Sequence, residues 1–286
     1  MREKLAAGRF VVTAEVDPPR GLDPQRALEG AALLTEAGVD AVNVGDTPLA
    51  RPHMSAIALA TMIQQQVGIE TIVHCVTRDR NLLALQADLL GMHALGLRNV
   101  LCLRGHVPRG TGVVGVWEVT PIGLIGILKG MNEGVDAAGE RLDEATSFFI
   151  GGAATPTAPL EVEEKLMREK KEAGVDFVIT QPVYDAAVVG RYVEAVGHLE
   201  VPIILSVMPL LSQRNAEFID REMKGVSIPE DARERIRRAG DEGPAEGLKI
   251  VREVIEAVRD RVSGVCVMSS LGRFDVAAEL VAWLRG

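Results

Sequence analysis

The stretch EAGVDAVNV, residues 36–44, decides the fold, because its pattern recurs along the chain. The related stretches are ALGLRNVLCL at 94–103, EAGVDFVIT at 172–180 and VSGVCVM at 262–268. In the first three, a glycine stands directly before a short run that is rich in branched apolar residues. Such a glycine suits the end of a helix, because it adopts the left-handed conformation freely. The recurrence therefore indicates a repeated unit in which a helix leads into a strand.

Eight apolar runs of strand length fit this unit. We predict strands at 10–16, 39–44, 69–76, 99–104, 147–152, 175–181, 202–208 and 264–268. Segments of helical period separate them, as at 27–38 and 82–96. This alternation predicts an α/β fold, a (β/α)8 TIM barrel, with two or three extra helices at 213–262 between the seventh and eighth strands. No linker rich in Pro, Gly or Ser divides the chain, so we predict a single domain over 1–286.

An open, doubly wound sheet is the alternative to a barrel. A GxGxxG motif after the first strand would support it, because that motif binds dinucleotides at the start of such a sheet. Here the first strand runs instead into DPPRGLDP, residues 17–24. The sequence therefore favours the barrel.

The composition limits the class of protein. A net charge of −9 and a pI near 5.2 argue against nucleic acid or an anionic membrane surface as the main partner. Cys75, Cys102 and Cys266 stand far apart within apolar runs, which predicts buried thiols and no metal site. The first residues lack the apolar segment of a signal peptide, and no apolar run is long enough to span a membrane. We therefore expect a cytoplasmic protein.

Polar side chains stand at the predicted strand ends, where a (β/α)8 barrel builds its active site. Glu15 closes the first strand and alternates with Thr13, so it faces either the barrel mouth or the helix layer. A carboxylate buried there without a function would be costly. Asp46 follows the second strand. His74 lies near the end of the third, where a hydrogen-bonded core histidine is the alternative. Gln181 follows the sixth strand, and its amide offers both a donor and an acceptor to a heterocycle.

Arg104 ends the fourth strand and precedes Gly105, His106 and a glycine-rich loop at 107–115. A guanidinium offers a two-pronged donor to phosphate, and glycines let backbone N–H groups approach it closely. A structural ion pair is the alternative for Arg104. The pattern favours a ligand with phosphate groups beside the fourth strand.

Six blocks of the chain, in order and at compatible spacing, resemble the methylenetetrahydrofolate reductase family. They are TAEVDPPRG (13–21), VNVGDTP (42–48), VHCVTRDRN (73–81), VLCLRG (100–105), KEAGVDFVITQPVYD (171–185) and MPLLSQRNAEF (208–218). The resemblance covers nearly the whole chain. It is strongest to the branch often fused behind a homocysteine methyltransferase domain.

The resemblance implies a flavoprotein of one-carbon metabolism and methionine biosynthesis. A non-covalent FAD would pass hydride from a reduced nicotinamide to 5,10-methylenetetrahydrofolate and so give 5-methyltetrahydrofolate. Glu15 matches the acidic residue of the family's E-x-x-P-P block, which protonates N10 of the folate. A raised pKa in a water-poor barrel mouth would suit a carboxyl to that role. Whether NADH, NADPH or another donor supplies the electrons stays open.

The resemblance also assigns binding residues. Gln181 matches the glutamine that contacts the pterin, Phe218 matches an aromatic that packs on the substrate, and we place Asp46 on the substrate side. Five residues are assigned to cofactor binding, namely His74, Arg104, Gly105, His106 and Lys170.

The chain departs from the family at two places. His106 stands where an acidic residue near the flavin is usual, and its imidazole is either neutral or positive. A positive ring would stabilise anionic reduced flavin, so we predict a flavin that is easier to reduce than in relatives. The segment GGAATPTAP, residues 151–159, lacks the usual aromatic and histidine, while Leu166 and Glu169 replace an Asn and an Arg. Fewer contacts to FAD are therefore expected.

Two other functions stay open. A barrel with a weakened flavin site could bind folate and act as a partner subunit, and a pterin-binding barrel could transfer a methyl group. The expected partners are folate and nicotinamide, together with a second copy of the chain, a homocysteine methyltransferase or an electron-transfer subunit. Retained flavin on purification would favour the reductase.

Overall fold

Eight parallel strands close into a barrel in which each strand pairs with the next along the chain and the last pairs with the first. The structure is a computed structural model, and it describes residues 1–108, 112 and 114–286. The strands are β1 (Val11–Val16), β2 (Ala41–Val44), β3 (Thr71–Val76), β4 (Asn99–Leu103), β5 (Phe149–Ala154), β6 (Phe177–Thr180), β7 (Ile203–Val207) and β8 (Gly264–Met268). The predicted (β/α)8 TIM barrel is confirmed, and each predicted strand overlaps an observed one.

Helices surround the barrel. They are α1 (Arg2–Ala6), α2 (Gln25–Ala37), α3 (Ala56–Gln66), α4 (Leu82–Ala94), α5 (Pro121–Asn132), α6 (Leu160–Ala173), α7 (Ala186–Val196), α8 (Gln213–Glu222), α9 (Glu230–Ala239), α10 (Gly243–Val258) and α11 (Phe274–Arg285). Three of them, α8 to α10, lie between β7 and β8, where the sequence predicts additional helices. Within the described ranges, no helix combines the length and the apolar character needed to cross a membrane.

The alternation of side chains along each strand fixes what lies inside the barrel. An apolar cluster fills the interior, and its strand members are Val11, Ala41, Ile72, Leu101, Phe149, Phe177, Ile179, Ile204 and Cys266. Residues two or four places further on, within these strands or directly after them, also face inward, and they lie nearer the carboxyl ends. Those polar residues are Thr13, Glu15, Asn43, His74 and Gln181. The carboxyl end of the barrel is therefore its polar end.

Local sequence fixes helix ends at both ends of the barrel. Gly38 and Gly174 take φ values of 106° and 102° after α2 and α6, as predicted for the left-handed end position. Asn81, Thr120 and Asp185 accept hydrogen bonds from backbone N–H groups in the first turns of α4, α5 and α7. The helices that follow the mouth loops thus begin at defined residues.

Candidate active site at the carboxyl ends of the strands

Glu15 faces the mouth of the barrel from the end of β1. Burial raises the pKa of its carboxyl to about 8, and the nearby Asp17 carboxylate adds to that rise. No hydrogen bond or ion pair joins the carboxyl of Glu15 to any described residue, and only its backbone carbonyl accepts a hydrogen bond, from Ser269 Oγ at 2.6 Å. At neutral pH the side chain therefore carries its proton and is suited to act as an acid.

A polar layer lies below Glu15 inside the barrel. Asn43 Nδ2 donates to Thr13 Oγ1 at 3.0 Å and to Cys266 Sγ at 3.4 Å. Cys266 is buried, and burial raises the pKa of its thiol to about 12, with a smaller contribution from Glu15. The layer is therefore neutral and separates the mouth from the apolar interior. Sequence reasoning identified Cys266 as a buried thiol and did not single out Asn43.

His74 faces inward from β3 and is only 9% exposed. Burial lowers the pKa of its imidazole to about 4, and the opposing effect of Asp46 is smaller. Its Nε2 is buried and has no hydrogen-bond partner among the described residues. A core histidine would have a hydrogen bond at this nitrogen, and none of the described residues provides one. A neutral ring with an unpartnered nitrogen can bind a ligand.

Arg104 is exposed at the end of β4 and has no carboxylate partner among the described residues. Its guanidinium carbon lies 4.8 Å from the centre of the Trp117 ring, which is a cation–π contact. Gly105 follows with φ of 83°, and a Cβ there would lie 3.0 Å from Arg78 Nη1. Arg109, Gly110, Thr111 and Val113 of the predicted glycine-rich loop lie outside the described residues.

His106 comes next, and burial lowers the pKa of its imidazole. Arg78 lowers it further, Glu222 raises it and Lys224 lowers it. These effects favour the neutral form of the ring. The expectation that His106 makes the flavin easier to reduce stays a prediction.

Two arginines that sequence reasoning did not assign hold the loops after β2, β3 and β4 together. Arg78 is 1% exposed and donates to the His106 carbonyl oxygen at 2.9 Å, to Thr47 Oγ1 at 2.7 Å and to Asp79. Arg80 Nη1 donates to Asp46 Oδ2 at 2.7 Å and Nε donates to Asp88 Oδ2 at 2.8 Å. The alternating charges of TRDRN directly after a strand are the sequence feature that could have indicated this network.

Two predicted binding residues already have partners within the fold. Asp46 also accepts from the Val76 N–H at 3.0 Å, and its side chain is 2% exposed. Lys170 on α6 is buried, and its Nζ donates to the Ala153 carbonyl oxygen at 2.7 Å. Asp46 thus sits behind the mouth and Lys170 between α6 and β5. Their assignment to substrate and cofactor stays a prediction.

Phe218 and Gln181, the residues predicted to bind substrate, lie on α8 and near the turn that follows it. Asn215 Nδ2 at the start of α8 donates to Ser270 Oγ, after β8, at 2.9 Å. At the other end, a Cβ on Gly225 would lie 3.8 Å from Gln181 Cγ, and Thr157 Oγ1 donates to the Gly225 carbonyl oxygen at 2.6 Å. The helix and its following turn therefore extend from β8 to the loops after β5 and β6. Phe218 is half-buried on this helix, and Arg221 lies over its ring.

A cavity of about 590 Å³ opens at the amino end of the barrel, opposite the candidate site. Arg2, Glu70, Arg98 and Phe149 are among the residues that line it. Glu15, His74 and Gln181 do not line it. The inward-facing polar groups, not this cavity, define the candidate site.

Comparison with known proteins identifies the family. Residues 1–269 match the family model described as methylenetetrahydrofolate reductase. Methylenetetrahydrofolate reductase 2 of Schizosaccharomyces pombe is 26% identical over 73% of this chain and 34% of the relative. The probable methylenetetrahydrofolate reductase (NADPH) of Caenorhabditis elegans is 23% identical over 72% of this chain and 30% of the relative. The chain thus spans about a third of the length of these curated relatives.

A solved structure shares the fold. It is a protein from Clostridium thermocellum that binds two copies of 5-methyl-5,6,7,8-tetrahydrofolic acid, with a TM-score of 0.69, 15% identity and coverage of 99% of this chain and 98% of that one. The identity is too low to show more than the fold. The match of the family model over nearly the whole chain shows that this chain belongs to the methylenetetrahydrofolate reductase family.

Proposed function

We propose that this chain catalyses the FAD-dependent reduction of 5,10-methylenetetrahydrofolate to 5-methyltetrahydrofolate with a reduced nicotinamide as electron donor. The observation that carries the proposal is Glu15, a carboxyl that is protonated at neutral pH and faces the barrel mouth. Family membership supports the reaction. Relatives named for NADPH, from C. elegans, and for NADH, from Oryza sativa, support a nicotinamide donor.

The residues beside β3 and β4 fit a bound FAD. His74 Nε2 is buried and unpartnered among the described residues, so it offers a polar contact to a ring system. Arg104 is exposed and free of a carboxylate partner in the described part of the chain, so its guanidinium is available to a diphosphate. Gly105 has a left-handed backbone and no side chain, so a bound ligand can approach the backbone closely there. When bound, FAD supplies the two-electron transfer between nicotinamide and folate.

Glu15 carries out the proton step in this proposal. Its carboxyl O–H donates the proton to N10 of the folate, the bond between N10 and the bridging methylene breaks, and the methylene becomes an iminium at N5. Gln181 offers an amide donor and acceptor to the pterin, and Phe218 offers an aromatic face. Because the pKa of Glu15 is about 8, the acid form dominates below that pH. Activity that depends on it should fall as the pH rises through 8.

The Glu15→Gln substitution tests the proposal. We expect folate reduction to fall by roughly 10²-fold or more, because a glutamine has no acidic proton to donate. Oxidation of the reduced nicotinamide by an artificial electron acceptor should persist, because that half-reaction needs no proton on N10. Glu29→Gln on the exposed face of α2 is the matched control and should leave both half-reactions intact. Loss of both half-reactions in Glu15→Gln would make Glu15 a structural residue and count against the proposal.

A folate-binding barrel without flavin is the second candidate. The engagement of Lys170 with the Ala153 carbonyl favours it, because one predicted cofactor contact is then already occupied. An absorbance spectrum, taken before and after incubation with FAD and desalting, separates the two. Retained flavin supports the reductase, whereas folate binding by a protein that retains no flavin supports the second candidate.

A further inference from the structure

Asn43 on β2 contains a buried oxygen that nothing in the described structure satisfies. Its side chain is fully buried, and Oδ1 accepts no hydrogen bond from any described residue. A buried acceptor without a donor costs about 1–3 kcal/mol. An unpaired group of this kind inside a barrel, directly below the candidate site, calls for a specific donor.

The register of the barrel brings Asn43 next to Glu15. The Cα atoms of the two residues pair directly between β1 and β2, and both side chains face inward. Neighbouring strands lie about 4.8 Å apart, so the two side chains are adjacent. Asn43 Nδ2 is already bound to Thr13 and Cys266. The amide is therefore oriented by its nitrogen, which leaves Oδ1 for another group.

Glu15 has the complementary need. Its side chain is partly buried, and a protonated carboxyl carries one O–H donor that can bond a neighbouring acceptor. Burial keeps the proton on Glu15 at neutral pH, and Asp17, directly after β1, favours the protonated form further. The titratable groups that face it from other strands are Cys266 on β8 and His74 on β3, whose pKa values of about 12 and about 4 leave both neutral.

We propose that Asn43 is a positioning residue whose Oδ1 accepts the hydrogen bond of the protonated Glu15 carboxyl. In the resting protein this bond stabilises the acid form, so that the proton is in place before the folate binds. The inference rests on the proposed function for its catalytic meaning. The hydrogen bond itself can be tested without folate or nicotinamide.

The direct test is nuclear magnetic resonance of protein labelled with ¹³C at the asparagine side-chain carbonyl. The chain has five asparagines, and an Asn43→Ser variant assigns the Asn43 resonance by its loss. We expect this resonance to shift with pH at the midpoint of Glu15, near 8. Asn99 provides an internal control, because it is also buried but binds the Thr71 carbonyl oxygen and Glu70 at the amino end of the barrel.

Two substitutions of Glu15 distinguish a hydrogen bond from a field effect. Glu15→Gln keeps an N–H donor at every pH, so the Asn43 resonance should stay at its low-pH position. Glu15→Met has similar length but no donor, so the resonance should move away from that position. A resonance that does not titrate, or one that is the same in Glu15→Gln and Glu15→Met, would overturn the proposal.

Activity gives the second readout. In Asn43→Ser the neutral acid loses its acceptor, so the alkaline limb of kcat/KM for folate should move down by about one pH unit. An upward move would mean that Asn43 presents its amide nitrogen to the carboxylate, which also overturns the proposal. If the unsubstituted protein reduces no folate while the resonance behaves as expected, the proposed function fails and the hydrogen bond stands.

Discussion

The raised pKa of Glu15 that serves acid chemistry also has a consequence for stability. An unfolded glutamate titrates near 4.5, whereas the folded carboxyl titrates near 8. Between these values the folded state holds one proton more than the unfolded state, so the free energy of unfolding falls as the pH rises. A residue at this position that cannot ionise would avoid that loss.

We therefore expect Glu15→Gln to be more stable than the unsubstituted protein at pH 8 to 9. The difference should reach roughly 2–3 kcal/mol, after allowance for the partial solvent contact of the side chain. The difference should shrink towards zero near pH 5, because Glu15 then begins to bind a proton in the unfolded state as well. Denaturant unfolding at a series of pH values measures this. A difference that does not change with pH would show that Glu15 has an ordinary pKa.

At the scale of single elements, α8 depends on the contacts of one side chain. Asn215 Nδ2 donates to Ser270 Oγ at 2.9 Å, and its Oδ1 accepts from the Leu211 N–H at 3.0 Å. These two bonds fix the start of the helix that presents Phe218. The bonds that position Phe218, the predicted substrate residue, thus lie at the start of α8, whereas Gly225 lies beyond its end.

We expect Asn215→Ala to lower the free energy of unfolding by about 1–3 kcal/mol, because one buried and one partly buried hydrogen bond are lost. Under the proposed function, KM for folate should rise more than kcat falls, because Phe218 is then held less firmly. Gln213→Ala is the control, since the exposed Gln213 side chain bonds Glu217 within the same helix. Equal effects of the two substitutions on stability and KM would rule out the anchoring role of Asn215.

Close packing of α10 against the segment after β7 gives a second prediction for an element. A Cβ on Gly247 would meet the Leu210 backbone, with the Leu210 nitrogen 2.7 Å away. A Cβ on Gly91, on the exposed side of α4, would meet nothing within 4 Å. Alanine is normally better than glycine in a helix by about 1 kcal/mol.

Gly91→Ala should therefore stabilise the protein by about 0.5–1 kcal/mol, whereas Gly247→Ala should destabilise it by about 1–3 kcal/mol. Thermal unfolding of the two variants under the same conditions makes the comparison. A stabilising Gly247→Ala would mean that α10 can move away from β7 at little cost.

On the scale of the whole molecule, the sequence predicts architecture better than it predicts partners. The order of strands follows from local period and from glycines such as Gly38 and Gly174, which act within a few residues. Alternation places Glu15 on the same side of β1 as Thr13, and only the closed barrel decides that this side faces inward. The strand order and the alternation depend on neighbours in the sequence, so they can be read from it.

The partners of charged side chains could not be read in the same way. Arg80 pairs with Asp46, 34 residues earlier. Lys170 on α6 donates to the Ala153 carbonyl oxygen on β5. Such choices depend on which groups the closed barrel brings within a few ångströms. The pairing of Asn43 with Glu15 is of the same kind, because it exists only when β1 and β2 are in register.

Asp40 shows how a single carboxylate links distant parts of the barrel. It accepts from the Val12 N–H at 2.9 Å, pairs with Lys4 and bonds Arg285 Nη2 at 2.6 Å. Although burial opposes ionisation, the bonds to Lys4, Val12 and Arg285 hold the pKa of Asp40 below its usual value. Stability from this source is thus present above the unfolded pKa near 3.8 and is lost as the pH falls through the folded value.

We expect Asp40→Asn to lower the free energy of unfolding by about 1–3 kcal/mol at pH 7, because α1, β1 and α11 lose their common charged partner. For a chain of this size the Tm should fall by roughly 2–6 °C. The difference in Tm should narrow below pH 4, where the proton on Asp40 removes the same charge in the unsubstituted protein. Glu36→Gln on the exposed face of α2 is the control and should leave Tm nearly unchanged at both pH values. A deficit in Asp40→Asn that is as large at pH 3 as at pH 7 would locate the effect in side-chain shape instead of charge.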